Sequence, residues 1–214
     1  MVYLKRLEQK SERKPDAFPF SLPGLRDLGT REIDTPILLF AGDNGSGKST
    51  LLEAIALGTN LPTVGSTDAK RDPSLEAIQP YSRSLRFGWS TKTRTGFFLR
   101  AEDFFGFARR NREIGQDLQE RADRITEPED AWVKGYMLSQ KHALNRDYGQ
   151  PLETFSHGEG FLAFFQARIH PGGLYLIDEP EAALSPEKQF ALGALILERA
   201  RDGACQFIVA THSP

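Results

Sequence analysis

Three short segments of the chain are apolar at consecutive positions rather than at alternate ones. They are PILLFAG at 36–42, GLYLIDE at 173–179 and CQFIVATH at 205–212, and turn residues bound each of them. Continuous hydrophobicity over so short a run is typical of strands buried on both faces, as in a parallel sheet covered by helices. The pattern therefore predicts a parallel sheet that contains these three strands.

Helical patterns lie between and after these strands. The segment STLLEAIALG at 49–58 predicts one helix. Ser185 and Pro186 predict the start of a second, as N-cap and first helical residue, and Phe190 and Leu197 then fall on one face of it. Strands that alternate with helices indicate a doubly wound α/β domain.

The middle third of the chain has a different pattern. Residues 84–102, SLRFGWSTKTRTGFFLRAE, contain two β-prone runs around a polar turn and predict a β-hairpin. Residues 102–126 and 129–145 are charge-rich and predict two helices. The run ARRNREIGQDLQERADR fits a solvated helix face with ion pairs one turn apart better than it fits a nucleic-acid contact. We therefore expect an inserted helical arm.

The length of 214 residues suits one α/β domain with a small appendage. We expect a single domain over 1–214. Its N-terminal lobe, 1–101, would hold an N-terminal β region, its helical arm would span 102–150, and its C-terminal lobe would span 151–214.

Composition narrows the classes of partner and location. The net charge of −2 provides no general cationic field, so a nucleic-acid partner is possible but not signalled. Cys205 is the single cysteine, which excludes an intramolecular disulfide and any multi-cysteine metal site, and we expect it in the core at the start of a strand. No segment approaches the roughly 20 apolar residues of a membrane span, and no secretory signal is visible. We expect a cytoplasmic protein.

The most specific motif, GDNGSGKST, follows the first apolar run. Gly42, Gly47, Lys48 and Ser49 satisfy G-x-x-x-x-G-K-[ST] between a predicted strand and a predicted helix. Glycines let successive backbone N–H groups converge on phosphates at a helix N-terminus, where Lys48 would reach the β- and γ-phosphates and Ser49 would bind Mg²⁺. The expected nucleotide-binding residues are Gly42, Asp43, Asn44, Gly45, Ser46, Gly47, Lys48, Ser49 and Thr50. The alternatives are a glycine-rich turn without nucleotide and a dinucleotide fingerprint, whose G-x-G-x-x-G spacing GDNGSG lacks.

Two further segments of the sequence contain side chains that would serve in the hydrolysis of a bound nucleotide. In LYLIDEP, Asp178 falls at the carboxyl end of a strand, where it would bind Mg²⁺, and Glu179 would orient or deprotonate a water molecule. His212 ends the third apolar run and would report on the γ-phosphate. The alternatives are two solvated carboxylates and a histidine that only satisfies a strand end. The expected cofactors are ATP and Mg²⁺.

The segment LETFSHGEGFLAFF places Ser156 beside His157, two residue types that hydrolase active sites use as nucleophile and base. A nucleophile elbow requires G-x-S-x-G, but Thr154 stands two positions before the serine. Adjacent residues of a helix also point apart, so the histidine is poorly placed to serve as base for the serine. The pattern disfavours a nucleophilic serine.

With GDNGSGKST, FSHGEG, LYLIDEPEAALSP and ATHSP in this order, the chain resembles the ABC-type ATPases, and most of all the small ATPases of the SMC, RecF and AAA_21-like group. The resemblance implies a RecA-like P-loop NTPase core with a helical subdomain, and a head-to-tail homodimer that encloses two ATP molecules. It also implies that Ser156, Gly158 and Glu159 form a signature that contacts the phosphate held by the other subunit. His157 replaces the usual first glycine of that signature.

The chain departs from the family pattern at several positions. The glutamine that the family carries in its lid has no clear counterpart in this chain. The candidates for its position are Arg100 and Glu102. Phe18 or Phe20 would contact adenine, and Ser185 stands where transporter ATPases carry an aspartate. The family also continues through a further helix and strand, so we expect a shortened form of it.

The first hypothesis is a dimeric ATPase that hydrolyses ATP to ADP and phosphate, with Glu179, His212 and Lys48 as its catalytic residues. The second is the nucleotide-binding subunit of a membrane transporter, whose partner would be a membrane subunit. The third is a nucleotide-gated module of low turnover in DNA repair or phage defence.

Overall fold

A computed structural model describes residues 1–10, 16–64, 73–150 and 152–212. The strands are β1 Leu4–Gln9, β2 Thr30–Glu32, β3 Ile37–Ala41, β4 Leu85–Trp89, β5 Gly96–Arg100, β6 Leu174–Asp178 and β7 Gln206–Thr211. The α-helices are α1 Pro23–Arg26, α2 Lys48–Thr59, α3 Gln79–Ser84, α4 Ala101–Asp123, α5 Ala131–Asn145, α6 His157–Arg168 and α7 Pro186–Arg201. Short 3-10 segments are Pro73–Ile78, Pro128–Asp130, Arg146–Tyr148, Leu152–Thr154 and Pro180–Ala183.

A four-stranded parallel sheet in the order β3-β7-β6-β5 forms the centre of the fold. Three of its strands are the three continuously apolar segments, and they are neighbours in the sheet. All five residues of β6 are buried, as expected of a strand covered on both faces. The prediction of a parallel sheet is confirmed, and Cys205 is buried just before β7 as predicted.

The hairpin predicted over 84–102 is wrong, because its two strands belong to different sheets. Strand β4 pairs antiparallel with β1 in a three-stranded sheet of order β2-β1-β4, whereas β5 pairs in parallel with β6. The reason lies in the consecutive apolar residues Phe97, Phe98 and Leu99, all of which are buried. Such a strand needs cover on both faces, and an interior parallel sheet provides it while a hairpin open to solvent on one face does not.

The two faces of the parallel sheet pack against two separate apolar clusters. Phe98, Leu176 and Ile208 face a cluster shared with α2 and the antiparallel sheet. Their neighbours Phe97, Tyr175 and Phe207 face a cluster shared with α6 and α7. Successive residues of a strand point to opposite faces, so each strand contributes to both clusters. The parallel sheet is therefore the middle layer of three.

Helices α4 and α5 pack on each other. Gly115 of α4 is buried beside Lys141 and Leu144 of α5, whereas Ile114 is exposed. Helix α5 has no buried residue, and Trp132 is 73% exposed on it. In the described part of the chain, no helix combines the length and hydrophobicity needed to cross a membrane.

Helix α7 begins as the sequence predicts but presents a different face to the core. Ser185 is its N-cap and Pro186 its first residue. Phe190 and Leu197, which share the predicted apolar stripe, are 81% and 63% exposed. The residues that pack on the sheet are Leu192, Leu195, Ile196 and Ala200. Both stripes are apolar at helical spacing, so periodicity alone did not distinguish the core-facing one.

The side chain of Gln206 joins the two sheets. It is fully buried at the start of β7. Its Oε1 accepts hydrogen bonds from the backbone N–H groups of Tyr3 at 2.9 Å and Leu4 at 2.8 Å, and its Nε2 donates to the Leu4 carbonyl at 2.9 Å. One amide therefore satisfies three backbone groups of the edge where β1 meets the parallel sheet.

We predict that Gln206→Leu destabilises the protein by about 3 kcal/mol or more, because it leaves three buried backbone groups without partners. The measurement is the free energy of unfolding from urea titration. Gln116→Leu on the exposed surface of α4 is the matched control and should change stability by less than about 0.5 kcal/mol. Equal effects of the two substitutions would show that Gln206 does not carry this contact between the sheets.

Candidate functional site

The carboxyl ends of the parallel strands gather the predicted site residues at one edge of the sheet. Ala41 is opposite Thr211 in register, so the phosphate loop after β3 lies beside His212. Asp178 is opposite Ala210 on one side and Arg100 on the other. In α/β sheets ligands bind at this end of the strands. Sheet register alone therefore brings the loop, the two carboxylates and the histidine together.

The phosphate loop is a glycine-dependent turn that leads into α2. Gly45 and Gly47 have φ angles of 76° and 101°, in the left-handed region that glycine adopts without a steric penalty. Gly47 is the N-cap of α2, and Lys48 is its first residue. On the outer side, the N–H of Gly24 in α1 donates to the carbonyl of Ser46 at 2.8 Å. The loop is thus held between α1 and α2 at a helix N-terminus, where backbone N–H groups attract anions.

The ammonium of Lys48 lies inside the curve of the loop. Its Nζ donates to the carbonyls of Gly42 at 2.7 Å and Asp43 at 2.9 Å, and lies 3.2 Å from Nδ1 of His212. Lys48 is buried despite its charge. The two carbonyl groups are neutral and compensate the positive charge of the ammonium only in part. A phosphate in the loop would therefore be attracted by the charge of Lys48.

Asp178 is a buried carboxyl group with one unsatisfied oxygen. Burial raises its pKa to about 7, and a hydrogen bond with the Ser49 side chain acts in the opposite direction. Among the described residues its Oδ1 atom has no hydrogen-bond partner. A buried carboxylate oxygen without a partner is costly unless it is protonated or binds a cation. Asp178 and Ser49 together offer the hard oxygen ligands that Mg²⁺ takes from proteins.

No group of three or more His, Cys, Asp or Glu side chains in the described segments is placed to enclose a metal ion. In proteins Mg²⁺ usually retains several waters and takes one or two protein ligands in addition to substrate phosphates. The pair formed by Ser49 and Asp178 therefore fits Mg²⁺ better than it fits a metal held in a complete protein cage.

Glu179 and His212 are in direct contact. Oε1 of Glu179 lies 2.6 Å from Nε2 of His212. Nδ1 lies 3.2 Å from the Lys48 ammonium, which needs an acceptor, and 3.0 Å from the Gly42 carbonyl oxygen, which needs a donor. The neutral tautomer with its proton on Nε2 donates to Glu179 and accepts from Lys48. Glu179 is also one of few non-glycine residues with left-handed backbone angles, φ 49° and ψ 51°. Such strain costs about 1–3 kcal/mol and is common at functional sites.

Glu181 is a residue of this network that sequence reasoning missed. Its Oε1 accepts hydrogen bonds from the Thr211 hydroxyl at 2.8 Å and from the backbone N–H of His212 at 2.6 Å. It follows Glu179 by two positions in the LYLIDEPE segment, but nothing in that spacing indicates a contact with β7. Glu181 fixes the backbone of His212 and leaves its ring to contact Glu179 and Lys48.

A cavity of about 450 Å³ opens beside the loop, and it separates the two aromatic candidates for adenine contact. Phe18 lines it together with Asn44, Lys48 and His212. Phe20 is buried in the core instead, with its ring centroid 5.2 Å from that of Tyr81. Only the first of the two predicted phenylalanines therefore lies where a nucleotide base could meet it.

A second cavity of about 380 Å³ lies on the Asp178 side and contains both candidates for the lid position, Arg100 and Glu102. The Arg100 guanidinium pairs with Glu53 at 2.9 Å and lies 3.6 Å from Asp103. Glu53 was not predicted from the sequence, although it stands four residues after Ser49 and hence on the same side of α2. Arg100 is therefore a fixed cation at this end of the site rather than a mobile side chain.

The signature residues lie elsewhere on the molecule. Ser156 is the N-cap of α6, and its N–H donates to Oε2 of Glu159 at 2.9 Å in a capping box. Hydrogen bonds from Ser156 and the charge of Lys188 lower the pKa of Glu159. Neither cavity beside the phosphate loop includes Ser156, Gly158 or Glu159 among its described lining residues. The side chain of His157 lies outside what the structure describes, so its predicted contact stays a prediction.

We predict that Asp178→Asn stabilises the metal-free protein at neutral pH. The native pKa of about 7 lies above that of the unfolded chain, so the protonated carboxyl stabilises the fold below about pH 4, and that contribution is lost as the pH rises to about 7. Relative to the variant, the native protein should lose up to about 4 kcal/mol over that range. The measurement is urea unfolding with chelator at pH 5, 6, 7 and 8. A stability difference that does not change with pH would contradict the raised pKa.

The chain is similar to known ATP-binding proteins in sequence. Residues 66–214 match the AAA_21 family model, described as "AAA domain, putative AbiEii toxin, Type IV TA system". The hemin import ATP-binding protein HmuV of Nocardia farcinica is 30% identical over 175 residues, which are 81% of this chain and 57% of HmuV. The chain thus spans little more than half the length of this relative. The solved structure of cbiO1 from Clostridium perfringens, part of the ABC transporter complex cbiONQ, is 17% identical, with a TM-score of 0.48 over the whole chain and 80% of cbiO1.

The family match begins before β4 and includes Asp178, Glu179 and His212. The phosphate loop at the same sheet edge precedes the matched residues. Because the matched region is more than two thirds of the chain, the protein belongs to the AAA_21 family of AAA-domain, P-loop ATPases.

Proposed function

We propose that the protein binds ATP at this sheet edge and hydrolyses it to ADP and phosphate. The observation that carries the proposal is the continuous contact from Lys48 through His212 to Glu179, with distances of 3.2 Å and 2.6 Å. The proposed phosphate ligand, the proposed phosphate-reporting group and the candidate base are thereby in contact with one another. Such preorganisation at the place where charge develops is the main source of catalysis in phosphoryl transfer.

The loop would hold the phosphates by its backbone and by Lys48. The N-terminus of α2 supplies partial positive charge, and the glycines at 45 and 47 let the backbone approach the phosphates closely. The ammonium would exchange its two carbonyl contacts for charged phosphate oxygens, which are stronger acceptors. This exchange favours binding, because a buried cation gains a counter-charge.

Ser49 and Asp178 would hold Mg²⁺, whose contribution when bound is to neutralise charge on the phosphates. The raised pKa of Asp178 means that this carboxyl group takes up a proton near neutral pH when no cation is present. Ligand groups must be deprotonated to bind metal, so binding should release that proton. The Ser49 hydroxyl would keep the carboxylate oriented in either state.

Glu179 would act as the general base and His212 as the residue that controls it. In hydrolysis, the water oxygen forms a bond to the γ-phosphorus, the bond to the bridging oxygen breaks with its electron pair on ADP, and the water proton passes to Glu179. One oxygen of this carboxylate lies 2.6 Å from Nε2 of His212. When Lys48 turns to phosphate, Nδ1 of His212 would lose the ammonium and keep the Gly42 carbonyl at 3.0 Å as a neighbour, so the ring would be held less firmly against Glu179.

We predict that Glu179→Gln lowers kcat for ATP about 10²- to 10⁴-fold, because the amide cannot accept the water proton. The dissociation constant for MgATP should change little, since the hydrogen bond of the Glu179 side chain in the described residues is to His212 and not to the loop. Glu187→Gln on the exposed first turn of α7 is the matched control and should retain the native rate. The assignment fails if Glu179→Gln turns over ATP at the rate of the control.

We further propose that two copies enclose the nucleotides, with the signature of one copy facing the loop of the other. Ser156 is exposed at the N-terminus of α6, in a position to donate to an anion, and it is absent from the cavities around its own loop. A site assembled from one copy alone would leave the N-terminus of α6 away from the nucleotide. The family resemblance supports the same arrangement.

We predict that Glu179→Gln, which traps bound ATP, has the mass of a dimer in solution with MgATP and of a monomer without it. Adding Ser156→Ala to that variant should weaken the dimer about tenfold or more, because a charge-assisted hydrogen bond to phosphate is lost. Thr154→Ala, two residues earlier and outside the capping box, is the control substitution. A monomer under both conditions would overturn the sandwich.

A second candidate function is the nucleotide-binding subunit of an importer. The relative HmuV is, by its name, an ATP-binding protein of hemin import, and it is 30% identical to this chain. A cytoplasmic location would suit both candidates. Affinity purification of the tagged chain from detergent-solubilised cells distinguishes them: recovery of a membrane protein in fixed ratio favours the importer, and a homogeneous soluble ATPase favours the first proposal.

A further inference from the structure

The ammonium of Lys188 in α7 contacts the signature residues. Its Nζ donates to Oγ of Ser156 at 2.9 Å and lies 3.9 Å from Oε1 of Glu159. The stem of the same side chain crosses Gly158 so closely that a Cβ there would lie 2.6 Å from Cδ of Lys188. The glycine of the signature therefore makes room for this lysine.

We propose that Lys188 is a phosphate-binding residue that acts on the nucleotide of the second copy, beside Ser156. The inference rests on the sandwich dimer proposed above and adds a residue that the sequence motif does not contain. An ammonium within hydrogen-bond distance of the signature hydroxyl reaches the same phosphate that this hydroxyl contacts.

The hydrogen-bond geometry leaves Lys188 able to bind a ligand. An ammonium has three donors, and one is given to Ser156. The nearest Glu159 oxygen, at 3.9 Å, is beyond hydrogen-bond distance, so it does not occupy a second donor. Ser156 accepts from Lys188, and its own hydroxyl hydrogen-bonds with the Glu159 carboxylate, so in the described part of the chain the two remaining donors of the ammonium are the groups available to an anion. The lysine side chain remains 27% exposed, so its head reaches solvent.

Charge at the helix N-terminus decides whether an anion can bind there. The N-terminus of α6 contributes about half a positive charge, whereas the ionised Glu159 in the capping box contributes a full negative one. Without another cation the signature would carry about −0.5 and would repel a phosphate. Lys188 reverses the sign. Ionisation of Glu159 is itself favoured, because its pKa is lowered by Ser156 and Lys188.

The position of Lys188 also connects the two half-sites of one chain. From Glu179 the chain passes through the Pro180–Ala183 turn to Ser185, which caps α7, and Lys188 lies in the first turn of that helix. A segment of only eight residues thus separates the base of one nucleotide site from a phosphate contact of the other. Phosphate bound at the signature would therefore affect the position of the segment that carries Glu179.

The test uses mixtures of purified full-length variants that are each inactive alone. Lys48→Ala removes the loop contact, and Lys188→Ala should lower kcat about 100-fold, as loss of one preorganised transition-state donor does. In a mixed dimer, one site receives an intact loop from one copy and an intact Lys188 from the other. An equimolar mixture should then recover about one quarter of the native rate, because half of the dimers are mixed and each has one intact site.

Mixing Lys48→Ala with Ser156→Ala separates failure of this inference from failure of the sandwich. If that mixture regains activity and the mixture with Lys188→Ala does not, Lys188 acts within its own copy, and the inference is overturned while the dimer stands. If neither mixture regains activity, the sandwich is wrong and the inference falls with it. Lys92→Ala, which removes an exposed lysine from the turn between β4 and β5, should retain native activity.

A second comparison separates direct contact from positioning of Ser156. In the Ser156→Ala background, Lys188→Ala should still lower kcat about tenfold or more, because the ammonium contacts phosphate itself. Lys188→Arg should recover part of the loss, since it keeps a cation. No further loss in the Ser156→Ala background would show that Lys188 acts only through the serine, and the proposed contact would be wrong.

Discussion

The in-register parallel pairing of β6 with β5 and β7 is the interaction on which the rest of the structure depends. It aligns Asp178 with Arg100 on one neighbour and with Ala210 on the other, and so determines which residues meet at the carboxyl edge. A shift of one residue in this register would exchange the faces of each strand and move Phe97, Tyr175 and their neighbours out of their cluster. The apolar packing on both faces therefore fixes the position of the polar groups at the edge.

Several features of the site lower the stability of the folded chain. Asp178 is buried with an unsatisfied oxygen, Glu179 has a strained backbone, and Lys48 is buried against neutral carbonyls. Each feature costs on the order of 1–3 kcal/mol, and the stability of a domain is only about 5–15 kcal/mol. The two packed clusters and contacts such as Gln206 supply the compensating stability. A phosphate and a divalent cation would relieve the costs at Lys48 and Asp178, which is why these features are better explained by ligand binding than by folding.

The sequence predicted the positions of candidate site residues in the fold where a motif encodes backbone geometry. The phosphate loop, Asp178 and His212 each follow an apolar run, and the spacing of glycines predicts the turn before α2. Residues whose role arises from contacts between distant segments gave no such signal. Glu181 reaches β7, Glu53 reaches Arg100, and Lys188 reaches Ser156 across 32 positions. The hairpin prediction was wrong for the same reason, since β4 and β5 are adjacent in the chain but pair with different partners.

The sequence by itself determined the element types, the parallel sheet, the phosphate loop and the order of the motifs, because hydrophobic period and glycine placement are local properties. Only the tertiary structure decided which face of α7 packs on the sheet, which of Phe18 and Phe20 lies beside the loop, and that Lys188 lies on the signature. Each of these choices lies between residues of the same chemical type, or depends on a partner far away in the chain. Their energies differ only through burial and contact geometry, which exist once the layers have packed.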